Sequence, residues 1–153
     1  MADVVDLTAL EERVGYHFRD PELLARALTH PSYAHEHPPV QHNEVLAFLG
    51  DAVVGLVVAE VLCARAPDDG SGRLTQRRAE VVSAKGLAGW AAWLDMPAHL
   101  RLGRGEDQGG GRGKESVLAS ALEAVIAAVY LDGGLAPAHT LITRLMDAEP
   151  ARC

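Results

Sequence analysis

The sequence predicts an all-α fold, and three observations carry that prediction. Of 153 residues, 48% are apolar but only 5% aromatic, with Ala, Leu and Val plentiful, a composition that suits packed helices. Two apolar runs, from His42 or Asn43 to about Ala66 and from Glu115 to Leu131, are too long for ordinary strands. No segment shows the strict alternation of a half-buried strand, and no internal repeat is present. A chain of this length fits one domain over residues 1–153 and can bury most of its apolar surface in one core.

The elements follow in order. Leu7 to Val14 reads as a short helix with Asp6 or Thr8 as cap. Asp20-Pro21 opens a second, because Asp favours the N-cap and Pro the first helical position. That helix should end near Thr29-His30-Pro31, and His35 to Gln41 reads as a His- and Pro-rich connection. The next run is apolar on nearly every face, through Val45, Leu46, Phe48, Leu49, Val53, Val54, Leu56, Val57 and Val61. A helix apolar all round is expected to be buried, so this one should be central. Pro67 to Gly72 is a turn by composition. Leu74 to about Trp93 reads as one long helix with Arg77, Arg78 and Lys85 on one side. Gly103 to Gly113 is a flexible, mixed-charge loop. Glu115 to Leu131 is a second buried helix, stopped by Asp132-Gly133-Gly134, and a last helix runs from about Ala136 to Asp147.

The formal charge of −7 argues against broad nucleic-acid affinity, which usually comes from clustered Lys and Arg. An acidic total can still enclose a metal site within a basic rim. Cys63 and Cys153 are the only cysteines, without a C-x-x-C, so neither a disulfide framework nor a cysteine zinc site is suggested. Met1 to Asp6 carries acids and no apolar leader. Val45 to Ala64 is long enough for a membrane span, but Asp51 and Glu60 inside it would be costly in lipid. No membrane association and a cytoplasmic location are expected.

Three constellations invite a chemical reading. Gly113-Lys114 resembles the end of a phosphate-binding loop, but the required first glycine falls on Gln108 and the hydroxyl position on Glu115. His35, His37 and His42 lack the spacing of a helical zinc site and read as solvated loop histidines. The informative residues are carboxylates in the two apolar runs. Glu44 and Asp51 lie seven apart and share a face, with Ala47 between them. Glu123 sits within ASALEAVIAAVYL, one turn after Ser120. Such acids must be paired, hydrogen-bonded or metal-bound. Periodicity alone leaves two readings open: metal ligands, or acids facing Arg77 or Arg78.

The segment from His42 to Val53, HNEVLAFLGDAV, resembles the ribonuclease III signature, typically HNERLEFLGD[SA]V. Further matching pieces occur in the same order. These are Gly15-Tyr16 with Phe18, Ala27 to Tyr33 (ALTHPSY), Leu74 to Lys85 (LTQRRAEVVSAK), Glu115 to Ala119 (ESVLA) and Tyr130 to Gly134 (YLDGG). The resemblance covers roughly residues 7–147. It implies a helical, homodimeric endonuclease-domain fold that uses magnesium to cleave double-stranded RNA.

Carried over by position, Asp51 and Glu123 match two of the family's four core acids, as catalytic residues and metal ligands. The other two positions hold Ala47 and Ser120, and a further acidic position holds Ser71, with Asp68 and Asp69 close but out of register. Glu44 matches an additional site acid. Alanine has no ligand atom, and serine is a weak neutral ligand for a hard cation. The resemblance therefore implies a weakened magnesium site and impaired catalysis, or, as the alternative, a non-catalytic relative that binds structured RNA or a ribonucleoprotein as a dimer. Arg77, Arg78 and Lys85, with Arg101, Arg104 or Arg112, are the candidate RNA contacts, and Phe48 the candidate dimer contact. The chain stops at Cys153 without the C-terminal RNA-binding domain that family enzymes often carry, so weak RNA affinity is expected.

Overall fold

The computed structural model describes residues 6–148. The stretch before Asp6 read as free of a leader, and Cys153, lie outside the described residues. Nine α-helices are formed among those residues: α1 Thr8–Val14, α2 Pro21–Ala27, α3 Pro31–Glu36, α4 Glu44–Arg65, α5 Ser71–Val81, α6 Ala84–Trp93, α7 Arg104–Gln108, α8 Glu115–Gly133 and α9 Leu135–Ala148. Short 3-10 turns lie at Met96–His99 and Gly111–Gly113. The described residues form no strand, only one parallel bridge between Thr29 and Arg101.

Local chemistry sets most boundaries. Asp20 caps α2 by accepting the Glu22 N–H at 3.1 Å, with Pro21 in the first turn. Gly15, at φ +77°, ends α1 in the left-handed conformation that glycine adopts without a Cβ penalty. α8 is the hub of the core. Eleven of its residues are buried, and α2, α4, α6 and α9 pack around it. By length and composition α4 and α8 could each cross a membrane, yet here the inner face of α4 packs on α8 within the protein core.

Four expectations need correction. α2 ends at Ala27, and part of the supposed connection is helix α3, opened by Pro31 and by His30 Nδ1 accepting the Ser32 N–H at 3.1 Å. The long helix from Leu74 breaks in two. Ser83 Oγ accepts the Gly86 N–H at 3.1 Å and starts α6, and a Cβ on Gly86 would run into the Val81 carbonyl at the end of α5. Arg77 and Arg78 thus lie on α5 and Lys85 on α6.

The Gly-rich loop is ordered. Arg112 holds Asp107 at 2.9 Å and the carbonyls of Pro97 and Leu100 at 2.9 and 2.7 Å, while Lys114 holds Glu106 at 2.9 Å. Finally, α4 is buried on one side only. Its inner face contributes Leu46, Val53, Val54, Val57, Val58 and Val61 to the core, whereas Val45 is 66%, Phe48 83% and Leu56 56% exposed. Cys63, on the same helix, is a free, exposed thiol.

Candidate acidic site

The start of α4 is fastened to the end of α2. Asn43 is buried, its side-chain amide donating to the Ala27 carbonyl at 2.9 Å and its N–H to the Thr29 carbonyl at 2.9 Å. Arg26 Nε donates to the His42 carbonyl at 3.1 Å. These bonds fix the rotation of α4, and with it which residues face α8.

Seven residues further on, the backbones of α4 and α8 touch. Gly50 is buried, and a Cβ there would run into the carbonyl of Glu123. Glycine is what permits this approach. Asp51, the next residue on α4, is thereby brought beside Glu123, close enough for its charge to act on the Glu123 carboxyl. Ala47 is half-buried one turn before Asp51, and Ser120 is exposed one turn before Glu123. Glu44 is exposed at the first turn of α4, about 10 Å from Asp51 along the axis. The sequence reading did not assign Gly50 its role; a small residue directly before the signature aspartate was the available signal.

The alternative in which these acids face arginines is not realised. Arg77 pairs with Asp69 at 3.3 Å, as does Arg73, and among the described residues Asp51 and Glu123 form no salt bridge. Glu123 responds accordingly. Burial first, then the charge of the adjacent Asp51, push its carboxyl up to about 7. An exposed Asp51 carboxylate beside a half-buried Glu123, without a protein cation, fits a divalent ion. Magnesium can be held by one or two carboxylates completed by water and phosphate oxygens. A two-ion arrangement does not fit, since among the described residues no three His, Cys, Asp or Glu side chains converge.

The raised carboxyl has a measurable consequence. Between its ordinary value near 4.5 and about 7, the folded chain keeps a proton that the unfolded chain releases. This stabilisation is complete below 4.5 and is lost as pH rises through 7. Without metal, the domain should therefore lose about 1–2 kcal/mol between pH 5 and pH 8, allowing for partial solvent screening. Glu123→Gln should remove that dependence. Parallel denaturation curves of parent and variant at both pH values test this, and an identical pH dependence in the two proteins would refute it.

A family profile described as Ribonuclease-III-like matches residues 20–148. The chain belongs to that family. Ribonuclease 3 of Streptomyces coelicolor is 51% identical to this ribonuclease-III-like chain over 140 residues, which make up 92% of the chain and 50% of that protein. Ribonuclease 3 of Thermobifida fusca is 48% identical over 147 residues, 96% of the chain and 61% of that protein. The crystal structure of the nuclease domain of ribonuclease III from Campylobacter jejuni is similar at a TM-score of 0.89 and 36% identity, covering 98% of this chain and 99% of that one. Another structure of that domain, concerned with flexibility in the region involved in its dimer formation, has a TM-score of 0.87 at 38% identity and covers 93% and 96% of the two chains. The ribonuclease-III-like chain spans about half the length of the curated relatives it matches. The helical fold and the family read from its motifs both stand.

The candidate RNA contacts divide in two. Arg78 and Lys85 are exposed and, among the described residues, form no ion pair. Arg104 is exposed too, and its backbone N–H donates to Glu36 at 3.1 Å. Arg101 donates to the Ala25 carbonyl at 3.2 Å and lies over the Tyr33 ring, and Arg112 is engaged by Asp107 and by the carbonyls of Pro97 and Leu100. Both are thus tied to the protein. The histidines hold no metal cluster among the described residues: His37 stacks on Tyr33, and His42 Nδ1 accepts the Glu44 N–H at 3.3 Å.

Proposed function

We propose that this chain is a ribonuclease-III-type nuclease domain that acts on double-stranded RNA as a cytoplasmic homodimer, with magnesium-dependent cleavage impaired at Ala47 and Ser120. The meeting of Asp51 and Glu123 across Gly50 carries this reading. It keeps two of the four acids that the resemblance implies side by side, where a cation would offset their repulsion. When bound, magnesium would neutralise charge at a scissile phosphate and lower the pKa of a water molecule. Asp51 and Glu123 would hold it, and the uncharged neighbours at 47 and 120 leave too little negative charge for a second ion. Incubation with long duplex RNA and magnesium should give short duplex products slowly, and Asp51→Asn should abolish them. RNA that is bound but never cut would shift the assignment to the non-catalytic binding protein.

Arg77, Arg78 and Lys85 supply the phosphate contacts in this reading. Each neutralised phosphate releases counterions, so log affinity should fall against log salt with a slope of about −2 to −3. Titrations with fluorescent duplex RNA at several salt concentrations measure it, and a flat line would exclude these cations.

The partner of the outer face of α4 is a second copy. An exposed row of Val45, Phe48 and Leu56 is a costly surface in water, and burying it against itself resolves that cost. Phe48→Glu should shift the sedimentation coefficient to that of a monomer. An unchanged dimer mass would place the interface elsewhere.

A further inference from the structure

We propose that a cavity of about 480 Å³ between α1, α2 and the His99–Arg101 segment binds a small amphipathic organic cation. It lies apart from the acidic pair, since neither Asp51 nor Glu123 lines it. Its size falls within the range of small-molecule sites, and its lining is amphipathic, with apolar and polar side chains in similar number. Phe18, Leu24 and Leu28 are buried beneath it.

The charge of the lining selects the ligand. Asp6, Glu11 and Glu22 all line the cavity, against one guanidinium, that of Arg101, and two imidazoles, those of His17 and His99. The guanidinium is already committed, donating to the Ala25 carbonyl at 3.2 Å and lying 5.2 Å from the centre of the Tyr33 ring. Glu11 is held in place, with its carboxylate 2.7 Å from His17 Nδ1 and 3.3 Å from the Phe18 N–H. Asp6 accepts the Thr8 N–H at 3.0 Å. Glu22, in the first turn of α2, is exposed at the mouth and forms no salt bridge among the described residues. An ammonium group at this rim meets carboxylates, while an aryl or alkyl body rests on the floor. An anion of the same shape meets repulsion.

The test uses the full chain and three probes of matched size: benzylamine, benzyl alcohol and phenylacetate. Amide NMR spectra should show saturable shifts with benzylamine at Leu24, Ala25 and Leu28, with a Kd on the order of 1 mM for so small a ligand. The alcohol should bind at least about fivefold more weakly, equivalent to roughly 1 kcal/mol, and phenylacetate not at all. Glu22→Gln, at an exposed site, should weaken benzylamine to the level of the alcohol. Ala25→Trp should fill the cavity and remove binding, with its helix content checked by circular dichroism. Absence of saturable shifts with benzylamine would overturn the proposal, and so would equal binding of the three probes or indifference to Glu22→Gln. None of these readouts depends on RNA, so the proposal and the nuclease reading stand or fall separately.

Discussion

Replacing Ala47 by Glu together with Ser120 by Asp should raise duplex-RNA cleavage at least ~100-fold, a gain of roughly 3 kcal/mol in barrier. The two new carboxylates would stand one helical turn from Asp51 and from Glu123, which already lie side by side where α4 and α8 touch. Four acids can share ions that two cannot. Their mutual repulsion should be relieved by magnesium, so the double variant should melt at a higher temperature with the ion than without it. Each single change should recover less, because the acids act as a unit. Rates from short duplex substrates and melting curves with and without magnesium decide the matter. A folded, dimeric double variant that remains inert would show that the site has diverged beyond these two positions.

Gly50→Ala should destabilise the domain by about 3 kcal/mol or more, an unusual cost for one methyl group. The added Cβ has no room against the Glu123 carbonyl, and backbone cannot swing aside as a flexible side chain can. Gly55 lies on the same helix but has nothing within 4 Å of its would-be Cβ. Gly55→Ala should therefore be neutral or stabilising by up to about 1 kcal/mol, since alanine is the better helix former. Urea unfolding of the two variants side by side makes the comparison. Wherever Gly50→Ala still folds, the displaced helices should part Asp51 from Glu123, and the Glu123 carboxyl should move back toward its ordinary range. Equal stability of the two variants would mean that the helix contact does not depend on glycine.

The sequence held much of this site in plain view because helical periodicity is local. The seven-residue spacing of Glu44 and Asp51, and the single acid within the apolar run around Glu123, were legible without a third dimension. So was the start of α2 at Asp20-Pro21, since a cap and its helix are neighbours in the chain. What was not legible depended on packing that composition does not show. The stretch from Leu74 to Trp93 carries no Pro, and its break rests on the Ser83 cap and on the close packing of Gly86 against the end of α5. The loop from Gly103 looked mobile by composition, yet Arg112 reaches carbonyls up to 15 residues back and fixes it. Apolar residues all round α4 suggested complete burial. Periodicity cannot say which side meets this chain's own core and which side is left for another molecule.

The break before Ser83 leaves α5 on the core through part-buried side chains only, Leu74 and Val81. None of the residues of α5 is buried, and its anchors include the exposed-side arginines Arg73 and Arg77 reaching to Asp69. Surface ion pairs of this kind contribute little, whereas α8 is enclosed by four helices. Local opening should follow the same gradient: amide hydrogens of α5 should exchange with solvent sooner than those of α8, which hydrogen-exchange measurements would check. The helix that carries Arg77 and Arg78 can therefore re-form its contacts around a ligand at less cost than α4 and α8, which hold the acidic pair.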